Sequence, residues 1–431
     1  MLSRRILSTI RTPPGQPDLH VLLLTLVFPP DGVSTAAILG GLVRELGADG
    51  IRFTVVTTTP HYNRDPTAED AQRLRRIFFG LVYRSEYFGA AVFHVRVRTR
   101  GSRILRRAFD YAFFHAVSLL IALRLRDPFD VILATSPPLT IGVAAAVVSG
   151  IRRVPFVYNV QEIYPDIAVE LGVLRREFLV RAAERIEMFA YRRARLLVTI
   201  SERFRRRIIA KGIESAKVEV IPNFANTQDI VPAQKRNLFS VRHGLTDRFV
   251  VLYAGNIGLA QDFDTILAAS VNMPPDVLFL IVGGGARAGR LEDEIHKRAS
   301  PALRMLPYQD SSDVQDLYAT SSVGLVTLQK GADRGTFPSK VYTIMSSGRP
   351  CIVISDLGSD AAELVTSVGC GVAVASGDHT GLARAVIDLR DNPGKANAMG
   401  SRGRDFVVST HSARTVATAY AASLRRVAGR M

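Results

Sequence analysis

The sequence predicts an α/β protein with two domains, each a doubly wound parallel sheet of the Rossmann type. Short, nearly continuous apolar runs recur along the chain, and glycine-marked turns and stretches with helical spacing follow them, which is typical of strands buried on both faces of a parallel sheet. The length of 431 residues is enough for two domains of roughly 200 residues each. The pattern restarts at residue 249 after a stretch with little apolar periodicity, so a second domain is expected to begin there.

These patterns predict the organisation of the chain. We expect a basic N-terminal lead, a first domain, an interdomain connection, a second domain, and C-terminal helices that cross back to the first domain. The corresponding residues are 1–19, 20–226, 227–248, 249–405 and 406–431.

Composition and charge limit the classes of function. The chain is 47% apolar and 22% charged, which is typical of a folded protein. Residues 1–225 carry 33 Lys and Arg against 20 Asp and Glu, whereas residues 226–431 carry 22 against 19, so their formal charges are +13 and +3. We therefore expect the N-terminal half to meet a lipid surface, a nucleic acid or a phosphorylated substrate. A nucleic acid is the least favoured partner because no recognised nucleic-acid-binding module is present.

Neither a disulfide framework nor a metal centre is indicated. Cys351 and Cys370 lie far from any paired metal-ligand spacing, so we expect a reducing, cytoplasmic setting. Asp262 and Asp264 fit either a metal-binding D-x-D pair or a helix cap. We favour a cap by Asp264, because it directly precedes the apolar run TILAAS.

Two basic stretches predict peripheral attachment to the inner face of the cytoplasmic membrane. Apolar runs at residues 111–123 and 131–151 fall short of the ~20 apolar residues that a spanning helix needs. Residues 102–126 have apolar helical spacing and basic ends, which fits a helix in a membrane interface and equally a core helix of a large domain. Residues 174–211 interleave arginines with aromatic residues and fit an anionic lipid surface, a nucleic acid or a solvated face. The candidate membrane-facing side chains are Arg103, Arg106 and Arg107.

The first domain has two polar clusters at predicted strand ends. Residues 20–29 form an apolar run, and the loop behind it contains Asp31 and Gly32. Residues 156–160 form another run, which ends in NVQEIYPD. Because ligands bind at the carboxyl ends of parallel strands, we expect both clusters to contact substrate, with a plain turn and a helix cap as the alternatives. The second cluster consists of Gln161, Glu162, Tyr164 and Asp166.

Two glycine-marked turns follow strands of the second domain. FVVLYAGNIG contains Gly255 and Asn256, and VLFLIVGGG ends near Gly284 and Gly285. Glycines there let a nucleotide diphosphate approach the backbone closely, with helix amides behind it. The second turn also fits a dinucleotide fingerprint, but weakly, because that turn usually follows the first strand of its domain.

The stretch GTFPSKVYTIMSSGRP places a lysine at the start of a predicted helix. Pro338 and Ser339 are typical of a helix N-terminus, whose leading amides are unpaired donors that point at an anion. Lys340 adds a full positive charge. We therefore expect a phosphate site here, with a surface helix and a solvated lysine as the alternative. The apolar face of this helix consists of Val341, Ile344 and Met345.

In their order along the chain, these motifs resemble glycosyltransferase family 4, and within it the bacterial transferases of surface polysaccharides, O-antigen and colanic acid. FPPDGVSTAAILGGLVREL, ISERF and VIPNFAN are similar to segments of its first domain. The donor-binding series of the family is resembled by YAGNIG, VGGGARAGRL, LPY, FPSKVYTIMSSGRP and DAAELV. The resemblance covers about residues 20–425.

The resemblance implies a GT-B architecture whose two domains face a central cleft. It implies transfer of a sugar from a nucleotide diphosphate sugar to a polyprenyl-diphosphate-linked saccharide, with retention of the anomeric configuration and without a metal ion or cofactor. The candidate catalytic residues are then Lys340, Glu162 and Gln161. The candidate donor-binding residues are Gly255, Asn256, Gly284, Gly285, Arg287, Tyr308, Phe337, Pro338, Ser339, Val341 and Thr343. The candidate acceptor-side residues are Asp31, Gly32, Tyr164 and Asp166.

The chain departs from the family pattern at three places. The usual pair of glutamates, with seven residues between them, falls on Gly335 and Thr343, so both carboxylates are missing. The usual diphosphate-clamping arginine and lysine fall near Asn256 and Gln261. The usual histidine and aspartate of the first domain are replaced by Gln161 and its neighbour Glu162. The expected substitutes for the missing cations are Lys340 and Arg287.

These departures keep two other functions open. A nucleotide-sugar epimerase shares the GT-B architecture and needs no acceptor, so product formed from the donor alone would indicate it. A non-catalytic, membrane-bound protein would bind a nucleotide sugar tightly without turning it over.

Overall fold

A computed structural model describes residues 19–61, 66–97, 104–170, 174–332 and 337–430. Within them the chain forms two compact units, each built on its own sheet. The first unit comprises the described residues within 19–165, 175–222 and 416–430, and the second those within 166–174 and 223–415.

The first unit is organised around a mostly parallel sheet. Its strands are β1 (Leu19–Thr25), β2 (Ile51–Thr58), β3 (Arg75–Ile77), β4 (Val82–Tyr87), β5 (Ala90–Val95), β6 (Val131–Ser136), β7 (Phe156–Val160), β8 (Leu196–Thr199) and β9 (Val218–Val220). They lie in the order β3-β4-β5-β2-β1-β6-β7-β8-β9. The β3–β4 and β4–β5 pairs are antiparallel and the other pairs are parallel, so a hairpin extends one edge of a parallel sheet.

The second unit has a wholly parallel sheet. Its strands are β10 (Phe249–Asn256), β11 (Val277–Gly284), β12 (Leu303–Leu306), β13 (Val323–Thr327), β14 (Cys351–Ser355) and β15 (Gly371–Ala375). Their order is β12-β11-β10-β13-β14-β15, so β10 lies inside the sheet. Along β10, Val250 and Leu252 face one apolar core while Val251 and Tyr253 face the other. This alternation reflects the two-residue repeat of a strand that is covered on both faces.

Helices connect and cover these strands. They are α1 (Ser34–Ala48), α2 (Pro66–Ala71), α3 (Ile104–Arg124), α4 (Ile141–Arg152), α5 (Asp166–Glu170), α6 (Glu177–Arg193), α7 (Glu202–Ala210), α8 (Leu238–Arg242), α9 (Phe263–Ala269), α10 (Ala288–Arg298), α11 (Val314–Thr320), α12 (Lys340–Ser346), α13 (Asp360–Ser367), α14 (His379–Asp391), α15 (Pro393–Thr410) and α16 (Ala413–Ala428). In the described chain, no helix combines the length and apolar composition needed to cross a bilayer.

Helix α3 buries a different face from the one that apolar spacing predicted. Phe114, Ser118 and Ala122 are buried one turn apart. Ala112 and Leu120, two of the residues whose apolar helical spacing predicted the buried face of residues 102–126, are exposed. Because α3 is apolar around most of its circumference, periodicity alone does not select the face that packs.

The first predicted strand also ends earlier than expected. β1 stops at Thr25, and the apolar run continues as buried, non-strand chain to Phe28, whose carbonyl accepts the N–H of Asp31 at 3.1 Å. This turn redirects the chain before α1 and places Asp31 behind the strand.

The chain ends with a long helix pair. α15 begins at Pro393, well before residue 406, and the described residues of α16 from 416 onward belong to the first unit. There Ser423 donates to Glu219 at 2.6 Å, and Arg430 donates to Asp130 at 2.6 Å.

Candidate functional site

The carboxyl ends of β10 and β11 approach each other unusually closely. Gly255 lies opposite Gly283 and Asn256 lies opposite Gly284. Gly283 has a φ of +151°, and a Cβ built there would collide with the carbonyl of Gly255. Only residues without a Cβ allow this approach, so the glycines bring the two strand ends into direct backbone contact.

The side chain of Lys340 occupies the space that Gly255 leaves. Lys340 is the first residue of α12, and a Cβ at Gly255 would overlap its Cε. Its Nζ donates a 2.9 Å hydrogen bond to the hydroxyl of Tyr253 and lies 4.5 Å from the centre of that ring. The Tyr253 hydroxyl donates in turn to the carbonyl of Asn256 at 2.6 Å. Gly255, Asn256 and Lys340 are therefore brought together as predicted, whereas Tyr253 was not predicted from the sequence.

The electrostatic setting of Lys340 is unusual for a lysine. Burial lowers the pKa of Lys340 to about 8, because the ammonium is partly removed from water. Among the described residues, no carboxylate forms an ion pair with it. The π-face and hydroxyl of Tyr253 only partly replace water. An anionic ligand at this place would therefore stabilise the charged lysine.

The second glycine turn lies beside an exposed aromatic ring. The ring of Tyr308 packs over Gly284, and its hydroxyl donates to the Gly284 carbonyl at 3.2 Å. Tyr308 keeps 45% of its surface exposed. Gly285 has a φ of +151° and lies against the carbonyl of Ile257, which accepts the N–H of Arg287 at 3.0 Å. A flat, half-exposed aromatic ring thus lies over the second glycine turn.

Arg287 supplies a second cation at the same strand ends. One guanidinium nitrogen donates to the Gln261 carbonyl at 3.4 Å, and another lies 3.8 Å from a carboxylate oxygen of Asp264. Asp264 is mostly exposed, so this ion pair is loose and solvated. Arg287 can therefore turn toward an anion without leaving a buried carboxylate unpaired.

The prediction that Asp264 caps the next helix is wrong. α9 begins at Phe263, so its cap is Asp262, which accepts the N–H of Thr265 at 3.1 Å. Asp264 lies in the first turn of the helix. Burial acts to raise the pKa of Asp262, but hydrogen bonds from Thr265, Ser376 and Gly377 outweigh it and lower the pKa below its ordinary value. In the described residues no cluster of His, Cys, Asp and Glu has the arrangement of a metal site.

The start of α12 differs in part from the predicted anion site. The N–H groups of Val341 and Tyr342 donate to the carbonyls of Pro338 and Ser339, each at 3.1 Å, so these amides are not unpaired donors. The tight turn that begins at Pro338 and Ser339 takes up these two amides in its own backbone hydrogen bonds. The side chain of Val341 is wholly buried in the core. The cation at the helix start, rather than the amides that follow it, is the group this turn offers to a ligand.

Other predicted donor-site residues hold α12 in place. Phe337 stacks on Tyr342 with ring centres 5.3 Å apart, and Tyr342 packs against His411 at 4.6 Å. Thr343, where the resembled family has a glutamate, is partly buried on the same helix. Gly335, the other glutamate position, lies outside the described residues.

In the first unit, Asp31 lies at the carboxyl end of β1 and β2. Asp31 is 5% exposed, and one of its oxygens accepts the N–H of His61 at 3.0 Å and lies 3.6 Å from the His61 ring nitrogen Nδ1. That nitrogen is also 3.0 Å from the hydroxyl of Thr58. Gly32, predicted beside Asp31, is exposed. No role was predicted for His61 from the sequence. Its position shortly after β2 is nevertheless a signal that it lies at a strand end, where substrate contacts are expected.

The polar cluster behind β7 is held by hydrogen bonds. The side-chain amide of Gln161 donates to Asn159 at 3.0 Å, and its backbone N–H donates to the hydroxyl of Ser136 at 3.2 Å, which ties β7 to β6. Glu162 is partly buried, and burial raises the pKa of its carboxyl group to about 7. Tyr164 follows in the same segment.

Some predicted positions lie elsewhere. Asp166, predicted on the acceptor side, begins α5, whose residues belong to the second compact unit. Arg103, predicted to face a membrane, lies outside the described residues. Arg106 and Arg107 lie on α3, but their side chains are outside the description.

Comparison with known families decides the class of the protein. A family model described as "Glycosyl transferase 4-like domain" matches residues 34–223, and one described as "Glycosyl transferases group 1" matches residues 235–406. The chain belongs to the glycosyltransferases. The second matched segment of this glycosyltransferase contains both glycine turns and Lys340, and the first contains Gln161 and Glu162.

Individual relatives are distant but match over most of their length. WcaI of Escherichia coli (strain K12), whose name assigns it to colanic acid biosynthesis as a glycosyl transferase, is 22% identical over 356 residues, which are 80% of this chain and 86% of the relative. WbjE of Pseudomonas aeruginosa, named as a glycosyltransferase, is 23% identical over 298 residues, which are 68% of this chain and 74% of the relative.

A solved structure shares the whole fold. Anabaena HepE, crystallised with UDP-glucose, matches with a TM-score of 0.69 at 17% sequence identity, over 95% of this chain and 100% of that one. The predicted GT-B architecture, with two α/β domains on parallel sheets, is confirmed by this likeness.

Proposed function

We propose that this glycosyltransferase moves a sugar from a nucleotide diphosphate sugar to a lipid-linked saccharide in bacterial cell-surface polysaccharide biosynthesis. The observation that carries the proposal is the Lys340 ammonium, held at the carboxyl ends of β10 and β11 with no carboxylate partner in the described chain. Such a cation is suited to a diphosphate, whose charge it would neutralise without first breaking an ion pair.

The chemistry explains why a fixed cation matters. During transfer, the bond between the anomeric carbon and the β-phosphate oxygen breaks, and a bond from the same carbon to the acceptor oxygen forms. Negative charge develops on the departing diphosphate, and Lys340 is positioned to stabilise it. The acceptor hydroxyl loses its proton to that diphosphate. We assign the reaction to the retaining class, so the product keeps the anomeric configuration of the donor.

The remaining donor contacts follow from the same strand ends. The diphosphate lies against the Lys340 ammonium beside Gly255, and the exposed ring of Tyr308 offers a stacking surface for the nucleotide base. Arg287, whose pair with Asp264 is loose, turns toward the second phosphate. In this scheme Lys340 and Arg287 carry the positive charge, and no metal ion is needed.

The first unit supplies the groups for the sugar and the acceptor. Gln161 and Glu162 present an amide and a carboxyl group, and Asp31 with His61 forms a second polar pair at the same sheet ends. Hydroxyl-rich sugars are bound by such amide and carboxylate groups. The name of the colanic acid relative supports a saccharide acceptor. The excess positive charge of residues 1–225 supports binding of the enzyme to the anionic inner face of the cytoplasmic membrane.

Mass spectrometry of the reaction products tests the proposal. The full chain is incubated with a mixture of nucleotide diphosphate sugars, with and without a polyprenyl-diphosphate-linked glycan, in buffer containing EDTA. The proposal predicts an acceptor heavier by one sugar residue and release of the nucleoside diphosphate only when the acceptor is present. An altered sugar nucleotide formed without an acceptor would indicate an epimerase instead. Binding of a donor without any turnover would indicate a non-catalytic protein.

The anomeric configuration is a separate readout of the same reaction. Nuclear magnetic resonance of the isolated product should show the linkage configuration of the donor, and the inverted configuration would contradict the retaining assignment. Loss of turnover in EDTA, restored by a divalent cation, would contradict the assignment of the charge to Lys340 and Arg287.

A further inference from the structure

The hairpin at the edge of the first sheet displays large apolar side chains to solvent. Between β3 and β4, Phe78 is 46% exposed, Phe79 is 102% exposed and Leu81 is 49% exposed. We call residues 78–81 the aromatic tip. It takes part in none of the proposed donor or acceptor contacts, and its sequence predicted no role for it.

The backbone of the aromatic tip is held in an unfavourable conformation. Phe78 and Phe79 have φ values of +44° and +54°, in the left-handed region that side chains with a Cβ avoid. Hydrogen bonds fix this turn: the N–H of Leu81 donates to the Phe78 carbonyl at 3.0 Å, and the N–H of Arg96 donates to the Leu81 carbonyl at 2.9 Å. The fold therefore keeps two phenylalanines in solvent at a backbone cost, which points to a function for their exposure.

Arginines surround the aromatic tip. Residues 71–85 contain four arginines and no acidic residue. Arg75 on β3 lies directly opposite Arg84 on β4, an arrangement in which like charges repel. The guanidinium of Arg76 packs over Gly80 inside the tip. In the described residues, no carboxylate pairs with the exposed side chains Arg73, Arg75, Arg76 and Arg96.

We propose that the aromatic tip inserts into an anionic lipid bilayer, with the surrounding arginines on the lipid phosphates. This proposal rests on the proposed function, which places the enzyme at the membrane, and it names the element that binds the lipid. Aromatic rings with flanking arginines suit the boundary between head groups and acyl chains, where one part of the contact is apolar and the other is anionic. Insertion would neutralise the repulsion between Arg75 and Arg84.

The size of the apolar surface favours a bilayer over a protein partner. Three side chains at these exposures offer roughly 300–400 Å² of apolar area. A stable protein interface buries about 800 Å² on each partner, so the tip alone is too small for one. The basic helix α6 is a weaker candidate for the membrane-binding element, because ion pairs already use part of its charge. Its Arg181 lies 2.6 Å from Glu177, and its Glu187 lies 2.6 Å from Lys211.

A single tryptophan tests insertion directly. The chain contains no tryptophan, so Phe79→Trp introduces one fluorophore at the tip. The matched control is Phe88→Trp, because Phe88 is 63% exposed and also left-handed, at φ +45°, but lies in the turn at the other end of β4. With vesicles of phosphatidylglycerol and phosphatidylcholine, the emission of Phe79→Trp should shift to the blue and be quenched by brominated acyl chains, while that of Phe88→Trp should not change. An unshifted Phe79→Trp would overturn the proposal.

Vesicle flotation measures the contribution of the tip to binding. Phe78→Asn combined with Phe79→Asn should weaken partition of the full chain into the anionic vesicles about tenfold or more, as should Arg75→Gln combined with Arg76→Gln. Removal of two exposed charges from α10, by Lys297→Gln with Arg298→Gln, is the control and should have little effect. Asparagine tolerates the left-handed conformation, so the melting temperature of the first variant should not fall. Unchanged partition of both tip variants would overturn the proposal.

The vesicle assays contain neither donor nor acceptor, so they are separate from the test of catalysis. Vesicle binding that needs the aromatic tip supports the inference even if no sugar transfer is found. Transfer to a detergent-solubilised acceptor should be unaffected by the tip variants. Tip variants that lose this transfer without losing vesicle binding would place the tip in substrate binding and overturn the inference.

Discussion

The ammonium of Lys340 donates a 2.9 Å hydrogen bond to the hydroxyl of Tyr253, and that hydroxyl donates to the carbonyl of Asn256 at 2.6 Å. The first residue of α12 is thereby tied to the end of β10. Lys340 can touch a diphosphate, whereas Tyr253 is fully buried and acts through the lysine. Tyr253 is thus a positioning residue, and its effect on the reaction should disappear when Lys340 is absent.

Tyr253→Phe tests this positioning role. The variant keeps the ring but removes the acceptor of the lysine hydrogen bond, so we expect turnover to fall about tenfold. The charged form of Lys340 also loses a stabilising contact, so the alkaline limb of the pH–rate profile should move to lower pH. In a Lys340→Met background, Tyr253→Phe should cause no further loss of rate. A full additional loss in that background would show that Tyr253 acts independently of the lysine.

Binding of a nucleoside diphosphate should depend on the charge of Lys340. Because burial lowers the pKa of Lys340 to about 8, the side chain is charged at pH 7 and becomes neutral as pH rises through 8. Bound diphosphate stabilises the charged form, so its dissociation constant should increase by up to about tenfold per pH unit above pH 8. Titration calorimetry between pH 7 and 9.5 measures this change. Lys340→Met should bind more weakly and without that dependence, and a similar slope in the variant would assign the titration to another group.

The ion pair of Lys211 with Glu187 should stabilise the first unit. The two groups are 2.6 Å apart, and the Glu187 side chain is 1% exposed, so Lys211→Met removes an ammonium that lies against a buried carboxylate. We expect the free energy of unfolding in urea to fall by about 3 kcal/mol. Replacing Glu187 by Leu in the same chain should recover much of the loss. The control Arg181→Met breaks an exposed pair with Glu177 and should cost about 0.5 kcal/mol or less.

Asp262 and Asp264 should differ sharply in their contribution to stability. Asp262 accepts hydrogen bonds from Thr265, Ser376 and Gly377, and Asp262→Ala should lower the free energy of unfolding by about 2 kcal/mol. Asp264→Ala should cost no more than about 0.5 kcal/mol, because only its loose pair with Arg287 is lost. Equal losses in the two variants, measured by urea denaturation, would contradict the assignment of the cap.

The same carboxylate should contribute to acid denaturation. Hydrogen bonding outweighs burial and lowers the pKa of Asp262 in the folded state, so its stabilisation is complete above the unfolded-state pKa of about 3.9 and is lost as pH falls through the lower folded value. The stability difference between wild type and Asp262→Ala should therefore shrink in acid. A constant difference from pH 7 to pH 2 would be inconsistent with this linkage.

The sequence predicted the parts of the site that depend on local pattern. Buried parallel strands have continuous apolar runs, so β7 and the start of β10 were placed at Phe156 and Phe249. The glycines at the ends of β10 and β11 indicated a close backbone approach, and Lys340 stood out as a cation at a helix start. The GT-B architecture followed from the order of these motifs.

The rest depends on contacts between distant segments. Tyr253 has the apolar alternation of an ordinary strand residue, and only the packing of α12 shows that its hydroxyl meets Lys340. The cap of α9 shifted by two residues, from Asp264 to Asp262, because bonds from the loop after β15 hold Asp262. The exposure of Phe79 could not be inferred from a stretch of chain whose apolar residues would equally suit a core.

The most direct test of the account is the rate of sugar transfer by Lys340→Met at saturating donor and pH 7. Methionine keeps the length of the side chain beside Gly255 but removes the charge, and Lys297→Met, on the exposed surface of α10, is the matched control. The account predicts a loss in kcat of about 100-fold or more for Lys340→Met, with an unchanged melting temperature, and a wild-type rate for the control. A folded Lys340→Met enzyme that turns over at the wild-type rate would contradict the claim that this lysine stabilises the departing diphosphate.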